Sequence, residues 1–213
     1  MLRIFKGVGL ALMAVLAIGV FSAGAASAAE FEAAGEGTLG GSGGAGETFS
    51  TEAGDIICSK STFSGTVKSG KQESATIHPT YSGCKAFGFP SATVNTEKCN
   101  YVFKPSVEVE AGVFDGKVDV SCGTGESIKI TSATCSAEVK SQTGLANVET
   151  TNKTVSGKMD IDVHLSITGI AYTVTNDGFF CPFSGIGEKS GAKYDTTSPL
   201  TMSLAVFDFT VVK

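Results

Sequence analysis

Tryptophan is missing from all 213 residues, and arginine occurs once, at Arg3. The first absence removes the broadest aromatic face for stacking on a sugar ring. The second removes the planar fork that grips phosphate through two parallel hydrogen bonds. Acidic residues outnumber basic ones, 21 to 16. A net-negative chain with so little arginine is unsuited to nucleic acid, nucleotides or anionic membranes. Histidine is nearly as scarce, with His78 and His164 the whole supply. Helix signals are almost absent.

What is present begins with a leader. Arg3 and Lys6 precede an uncharged apolar run from Gly7 to Val20, and small residues follow from Ala23 to Ala29. That order is the secretory pattern, and Ala26-Ser27-Ala28 places the cut after Ala28. Residues 1–28 are thus expected to be a helical signal peptide, and 29–213 a single secreted domain. An uncleaved anchor would need roughly 20 apolar residues, which the run reaches only by including Ile4, Phe5 and the small-residue end. No cysteine sits at the cut, and the stretch Leu204–Lys213 carries Asp208 and no sorting motif. The expected product is released, or held loosely at the cell wall, with no membrane contact after cleavage. Without Arg3 and Lys6 the 16 basic residues become 14, all lysine, against 21 acidic ones.

Six cysteines, at 58, 84, 99, 122, 135 and 181, all lie in the exported part. An even number in an oxidising compartment reads as three disulfides. No C-x-x-C occurs, which disfavours structural zinc. Six cysteines allow 15 connectivities. Pairing close neighbours gives Cys84–Cys99 and Cys122–Cys135, with Cys58–Cys181 as the long closure.

Period-two alternation dominates the rest. Met159, Ile161, Val163, Leu165 and Ile167 share one face, with Asp160, Asp162, His164, Ser166 and Thr168 on the other. After Gly169 the parity flips to Ile170, Tyr172 and Val174, which reads as a β-bulge in a continuing strand. Similar runs recur at Cys99–Phe103, Val107–Glu110, Val118–Cys122 and Ile128–Thr131. About a dozen short strands predict an all-β fold, an antiparallel sandwich or barrel-like single domain stapled by disulfides. The stretch 35–46 holds seven glycines in twelve residues and reads as a flexible loop.

Several motifs look chemical. Gly41, Gly43 and Gly46 match G-x-G-x-x-G, and residues 40–44 match G-x-S-x-G. Both motifs need a following helix, and Glu47-Thr48-Phe49-Ser50-Thr51 reads as strand. His164 beside Asp160 and Asp162 lacks further ligands for a metal, so a solvated face is the simpler reading. His78 precedes Pro79 and reads as a loop or edge residue. Glu108 and Glu110 form a same-face carboxylate pair of the kind glycoside hydrolysis uses, or an exposed strand face. Asn152-Lys153-Thr154 is a glycosylation sequon by pattern. No catalytic residue, cofactor or metal is expected from this set, and the chain reads as a non-enzyme.

Two aromatic loops stand out, Phe87-Gly88-Phe89-Pro90 after Cys84 and Phe179-Phe180-Cys181-Pro182-Phe183. Phe87, Phe89, Phe179, Phe180 and Phe183 are either plugs over the ends of the core or a binding patch. The blocks Gly83–Gly88, Ala92-Thr93-Val94 and Cys99–Phe103, with Val163, Gly169–Val174 and Cys181, resemble a family of uncharacterised secreted cysteine-containing β-proteins of actinobacteria. That resemblance implies export, β structure and paired cysteines, and carries no activity. The expectation is a secreted or envelope-associated protein that binds or coats, its partner a cell-wall or extracellular glycan or a protein. The alternative is a carbohydrate-binding or glycan-processing protein, which a groove lined by Tyr81, Tyr172 or Tyr194 with facing carboxylates would favour.

Overall fold

The computed structural model describes residues 28–213, apart from 45, 88, 134, 180, 197 and 198. The expected signal peptide therefore lies outside the described residues except for Ala28, and so does Phe180. The described residues form sixteen strands and no helix: β1 (Glu30–Ala33), β2 (Gly37–Gly43), β3 (Glu47–Thr51), β4 (Gly54–Val67), β5 (Gly70–Gln72), β6 (Ala75–Ala86), β7 (Phe89–Asn95) and β8 (Cys99–Glu110), then β9 (Val113–Cys122), β10 (Ile128–Ser132), β11 (Cys135–Val139), β12 (Gln142–Val155), β13 (Lys158–Asp177), β14 (Gly187–Asp195), β15 (Leu200–Leu204) and β16 (Phe209–Val212).

Alternation in sequence becomes alternation in burial. Strand β10 buries Ile128, Ile130 and Ser132, and β15 buries Leu200, Met202 and Leu204. Strand β13 buries Ile161, Val163, Leu165 and Ile167, then flips to Ile170, Tyr172 and Val174. The flip occurs at Gly169, whose φ of 76° suits a residue without Cβ. The β13–β14 register shifts on either side of Ile170, as a bulge requires. The two runs Cys99–Phe103 and Val107–Glu110 join in β8, with a register shift between Pro105 and Val107.

All the pairings are antiparallel, and they close two rings of eight strands each. One ring runs β2-β4-β6-β8-β9-β12-β13-β15 and returns to β2. The other runs β3-β4-β6-β7-β10-β11-β13-β14 and returns to β3. Strands β4, β6 and β13 belong to both. The architecture is thus the barrel-like form of the expected all-β fold. Closure also removes the free sheet edges that would template association.

The two ends of the barrel are covered differently. At the first ring, the small sheet β16-β1-β5 packs with β16 against β12 and β13 and β1 against β8. Phe31 and Phe209 stack there at 5.5 Å, both buried. Asn152 of the sequon anchors this cover, its amide donating to Val211 O at 2.7 Å and its carbonyl accepting from Val211 N at 2.8 Å. At the second ring, Phe87 and Phe183 meet edge to face at 4.8 Å, with Tyr172 6.0 Å from Phe183. These two phenylalanines are plugs. Phe179, 92% exposed, is not, and Phe89 lies in β7 opposite Ala86.

Two expectations are corrected. Three disulfides form, but as Cys58–Cys84, Cys99–Cys122 and Cys135–Cys181 rather than the pairing of close neighbours. Cys58 and Cys84 are direct partners across β4 and β6, and Cys99 and Cys122 across β8 and β9. For these two pairs, register between strands, rather than shortness of loop, selected the partner. The glycine-rich stretch 35–46 is not a loop, because seven of its residues form β2, between β4 and β15. A Cβ on Gly41 would lie 2.8 Å from Thr201 O, so glycine there permits close approach of β15.

Peptide mapping without reductant will recover these three linkages and none of the close-neighbour pairs. Replacing Cys99 and Cys122 together by serine will lower the unfolding free energy by about 3 kcal/mol, read from the denaturant midpoint.

Candidate functional site

Where the two rings meet, the strands change partners. On one edge of β4, β2 gives way to β3; on one edge of β6, β8 gives way to β7. Strand β13 carries β12 along 158–165 and β11 along 173–177. The ladder cannot be continuous at these changeovers. An internal cavity of about 70 Å³ lies there, lined by residues from both rings. Its wall is apolar, with Ile56, Val94, Val120, Val139, Leu165 and Ile170 among its side chains. One pole is polar, formed by Glu47, Tyr81, Tyr101 and Tyr194.

Glu47 is the first residue of β3 and only 3% exposed. It shares the inward face of its direct partner Cys58, and the pairing slips by one residue before it, since three residues separate Gly43 from Glu47 while two separate their partners Ser61 and Cys58 on β4. Glu47 Oε1 accepts a short hydrogen bond from Ser61, which is fully buried. Glu47 Oε2 accepts from the Tyr194 hydroxyl at 2.7 Å. The Tyr81 hydroxyl lies 3.1 Å from that of Tyr194 and 2.9 Å from that of Tyr101. Gly43 leaves the space for this arrangement, since a Cβ there would overlap Glu47 Oε1, Ser61 Oγ and Leu200 Cδ2.

Burial raises the pKa of Glu47, opposed by the bonds from Ser61 and Tyr194. Burial likewise lifts Tyr81 and Tyr194 well above the usual tyrosine value, and Tyr101 to about 12. All three phenols therefore keep their protons across the physiological range.

One stretch of the β13 edge has no strand ladder. Between the stretches of β13 paired with β12 and β11, the side chain of Gln142 substitutes for a strand. Its amide donates to Ala171 O at 3.1 Å and its carbonyl accepts from Ala171 N at 3.0 Å. Outside this clamp is a groove of about 420 Å³ that includes Lys140, Gln142, Ala171 and Glu188. Inside it, the neighbouring residues Val139 and Ile170 face the cavity. The following stretch of β12 is irregular, with two register shifts against β9 between Gln142 and Val148, and positive φ at Gly144 and Asn147. Asp119 ties it down, accepting from Gly144 N at 2.7 Å and Lys104 Nζ at 2.5 Å. Burial opposes ionisation of Asp119, but these two donors hold its pKa below the ordinary value.

The other sequence candidates are not brought together. His164 is exposed on the outer face of β13, opposite Glu149. His78 is within β6 rather than in a loop, opposite Ser64 of β4 and just past the last residue that β8 pairs, with Nδ1 3.0 Å from Cys99 O. Glu108 contacts Gly112 N and Lys213, which hold its pKa below the usual range. Tyr172 is buried. Among the described residues, no group of three or more His, Cys, Asp or Glu side chains converges. Alternation in the run Cys99–Phe103 puts Tyr101 on one face with Cys99 and Phe103, but sequence reasoning missed Glu47. The available signal was its shared parity with Phe49, two residues on in the same strand. Comparison of the chain with protein-family models, curated proteins and solved structures found no match.

Two outcomes follow for the polar pole. Gly43→Ala will cost about 3 kcal/mol by overpacking, whereas Gly40→Ala, whose Cβ meets nothing within 4 Å, will be close to neutral. Because the folded protein retains the Glu47 proton at pH values where the unfolded chain has lost it, the stabilisation is complete below the ordinary glutamate value of 4.5 and fades as pH climbs through the raised one. The melting temperature of the wild type minus that of Glu47→Gln will therefore fall with rising pH above about 4.5; a flat difference would refute the assignment.

Proposed function

We propose that the chain is a secreted, non-enzymatic binding protein that holds a small, mainly apolar guest in its central cavity. The observation that carries the reading is an apolar cavity with a single polar pole at the centre of a closed barrel. Eight-stranded barrels have interiors that side chains just fill or that hold one small ligand. Here they do not fill it. The volume is about 70 Å³, against roughly 150 Å³ for a cavity that admits benzene. A guest of about three to five heavy atoms is the corresponding size. The guest reaches the site from the outer groove, past the Gln142–Ala171 clamp and Leu145, a half-buried residue of the cavity wall.

Export is supported by the leader pattern of residues 1–28 and by three disulfides. A non-enzymatic role is supported by the setting of Glu47, whose carboxylate is engaged by the fully buried Ser61 hydroxyl and by Tyr194, with no second carboxylate among the lining residues. The glycan reading calls for a groove in which Tyr81, Tyr172 or Tyr194 meets a sugar from the solvent side. Tyr81, Tyr101 and Tyr194 line the cavity instead, and Tyr172 is buried.

Xenon NMR on the refolded mature protein tests the reading. One saturable internal site is expected, with methyl shifts at Leu145, Leu165 and Ile167, and exchange is expected to quicken in Gln142→Ala. Shifts confined to the surface would sink the proposal.

A further inference from the structure

With the Glu47 carboxylate ionised, every proton at the polar pole is already committed. Tyr194 donates to Glu47 Oε2. A phenol has one proton, so in the Tyr81–Tyr194 contact the donor is Tyr81. Tyr81 is then spent, and in the Tyr81–Tyr101 contact the donor is Tyr101. Ser61 donates to Glu47 Oε1. The chain of hydroxyls therefore runs one way, from Tyr101 through Tyr81 and Tyr194 to the carboxylate. What remains unused is acceptor capacity: lone pairs on the Tyr101 oxygen and on Glu47. The other lining side chains are apolar, and Cys58, the one cysteine among them, is in a disulfide.

We infer that the cavity selects a neutral guest bearing an N–H or O–H donor on a small apolar body, and turns away guests of the same shape whose polar atom only accepts. The inference rests on the binding reading proposed above and names the guest class for that site. A donor group at the pole meets the Tyr101 oxygen and extends the chain by one link. An ether or carbonyl oxygen in the same place sets lone pair against lone pair. A buried site that holds only acceptors leaves such a guest desolvated and unpaired, which is how buried polar groups discriminate between isosteres. A cation is disfavoured, because one carboxylate already engaged by Ser61 and Tyr194 offsets little of the cost of desolvating a full charge.

Pyrrole and furan make the test, since the two rings match in size while pyrrole only donates and furan only accepts. Titrations followed by methyl shifts at Leu145, Leu165 and Ile167, run at about pH 9 to keep the carboxylate ionised, would be paired with xenon binding. Pyrrole is expected to bind about tenfold more tightly than furan, and Tyr101→Phe is expected to narrow that ratio while xenon binding persists. Equal affinities for the two rings, with xenon bound, would overturn the donor preference and leave the cavity reading standing. Xenon entering while both rings stay out would overturn the guest class in the same way. Exclusion of xenon and both rings would overturn the binding reading itself, and the preference with it.

Discussion

Strands β4, β6 and β13 each serve two closed rings, and that double membership dictates most of what else is found. A strand can offer one partner per edge at any level, so where one ring hands over to the next the ladder has to break. The breaks fall between β2 and β3, β8 and β7, β12 and β11, and β15 and β14, all at one level of the molecule. Side chains from two rings with different registers meet there, and the cavity is the space they fail to share. Cys58–Cys84 crosses between β4 and β6 next to this level and lines it. Cys99–Cys122 joins the first residue of β8 to the last of β9. Cross-links at these positions resist the separation that broken ladders would otherwise allow.

Much of this was legible in the chain. Alternation located nearly every strand, because a half-buried strand must repeat at every second residue, and the parity change at Gly169 revealed a bulge without any partner in view. The disulfide pairing was not legible. Loop length favours Cys84 with Cys99 and Cys122 with Cys135, yet β6 and β8 pair only through residues 75–77 of β6, far along that strand from Cys84. The entropic preference for short loops is weak beside the requirement that two sulfurs face each other across a ladder. Glycine composition misled for a related reason. Seven glycines suggest mobility when read alone, but Gly41 and Gly43 are there because β15 and the Glu47–Ser61 pair occupy the space a Cβ would take. Composition registers the missing side chain, while only the packing shows what replaced it.

Glu47 stayed hidden because a charge at an inward position violates the pattern that made the strands readable. Its neighbours explain how the violation is tolerated. Two hydrogen bonds to the carboxylate offset part of the desolvation, and the tyrosines pass polarity on to Tyr101 at the cavity surface. The burial still wins, as the raised pKa records.

A barrel required only to stand up would dispense with both features. The cavity costs about 2 kcal/mol at roughly 24 cal/mol per Å³, a sizeable share of an ordinary domain's stability of roughly 5–15 kcal/mol. Its wall includes Val94, Val118, Val120 and Val139, any of which could be longer by a methylene and fill part of the space. The carboxylate adds a second cost, removable by an apolar residue at position 47 together with any small residue at 61. Either defect alone would be unremarkable, since native cores carry voids and buried polar groups. Both fall in the same cavity lining, at the level where the Gln142 side chain stands in for a ladder on β13. Coincident departures from good packing and from polarity rules are what binding sites produce, because a guest later supplies the missing contacts. The occupant that would relieve both at once has an apolar body for the valines and a donor for Tyr101.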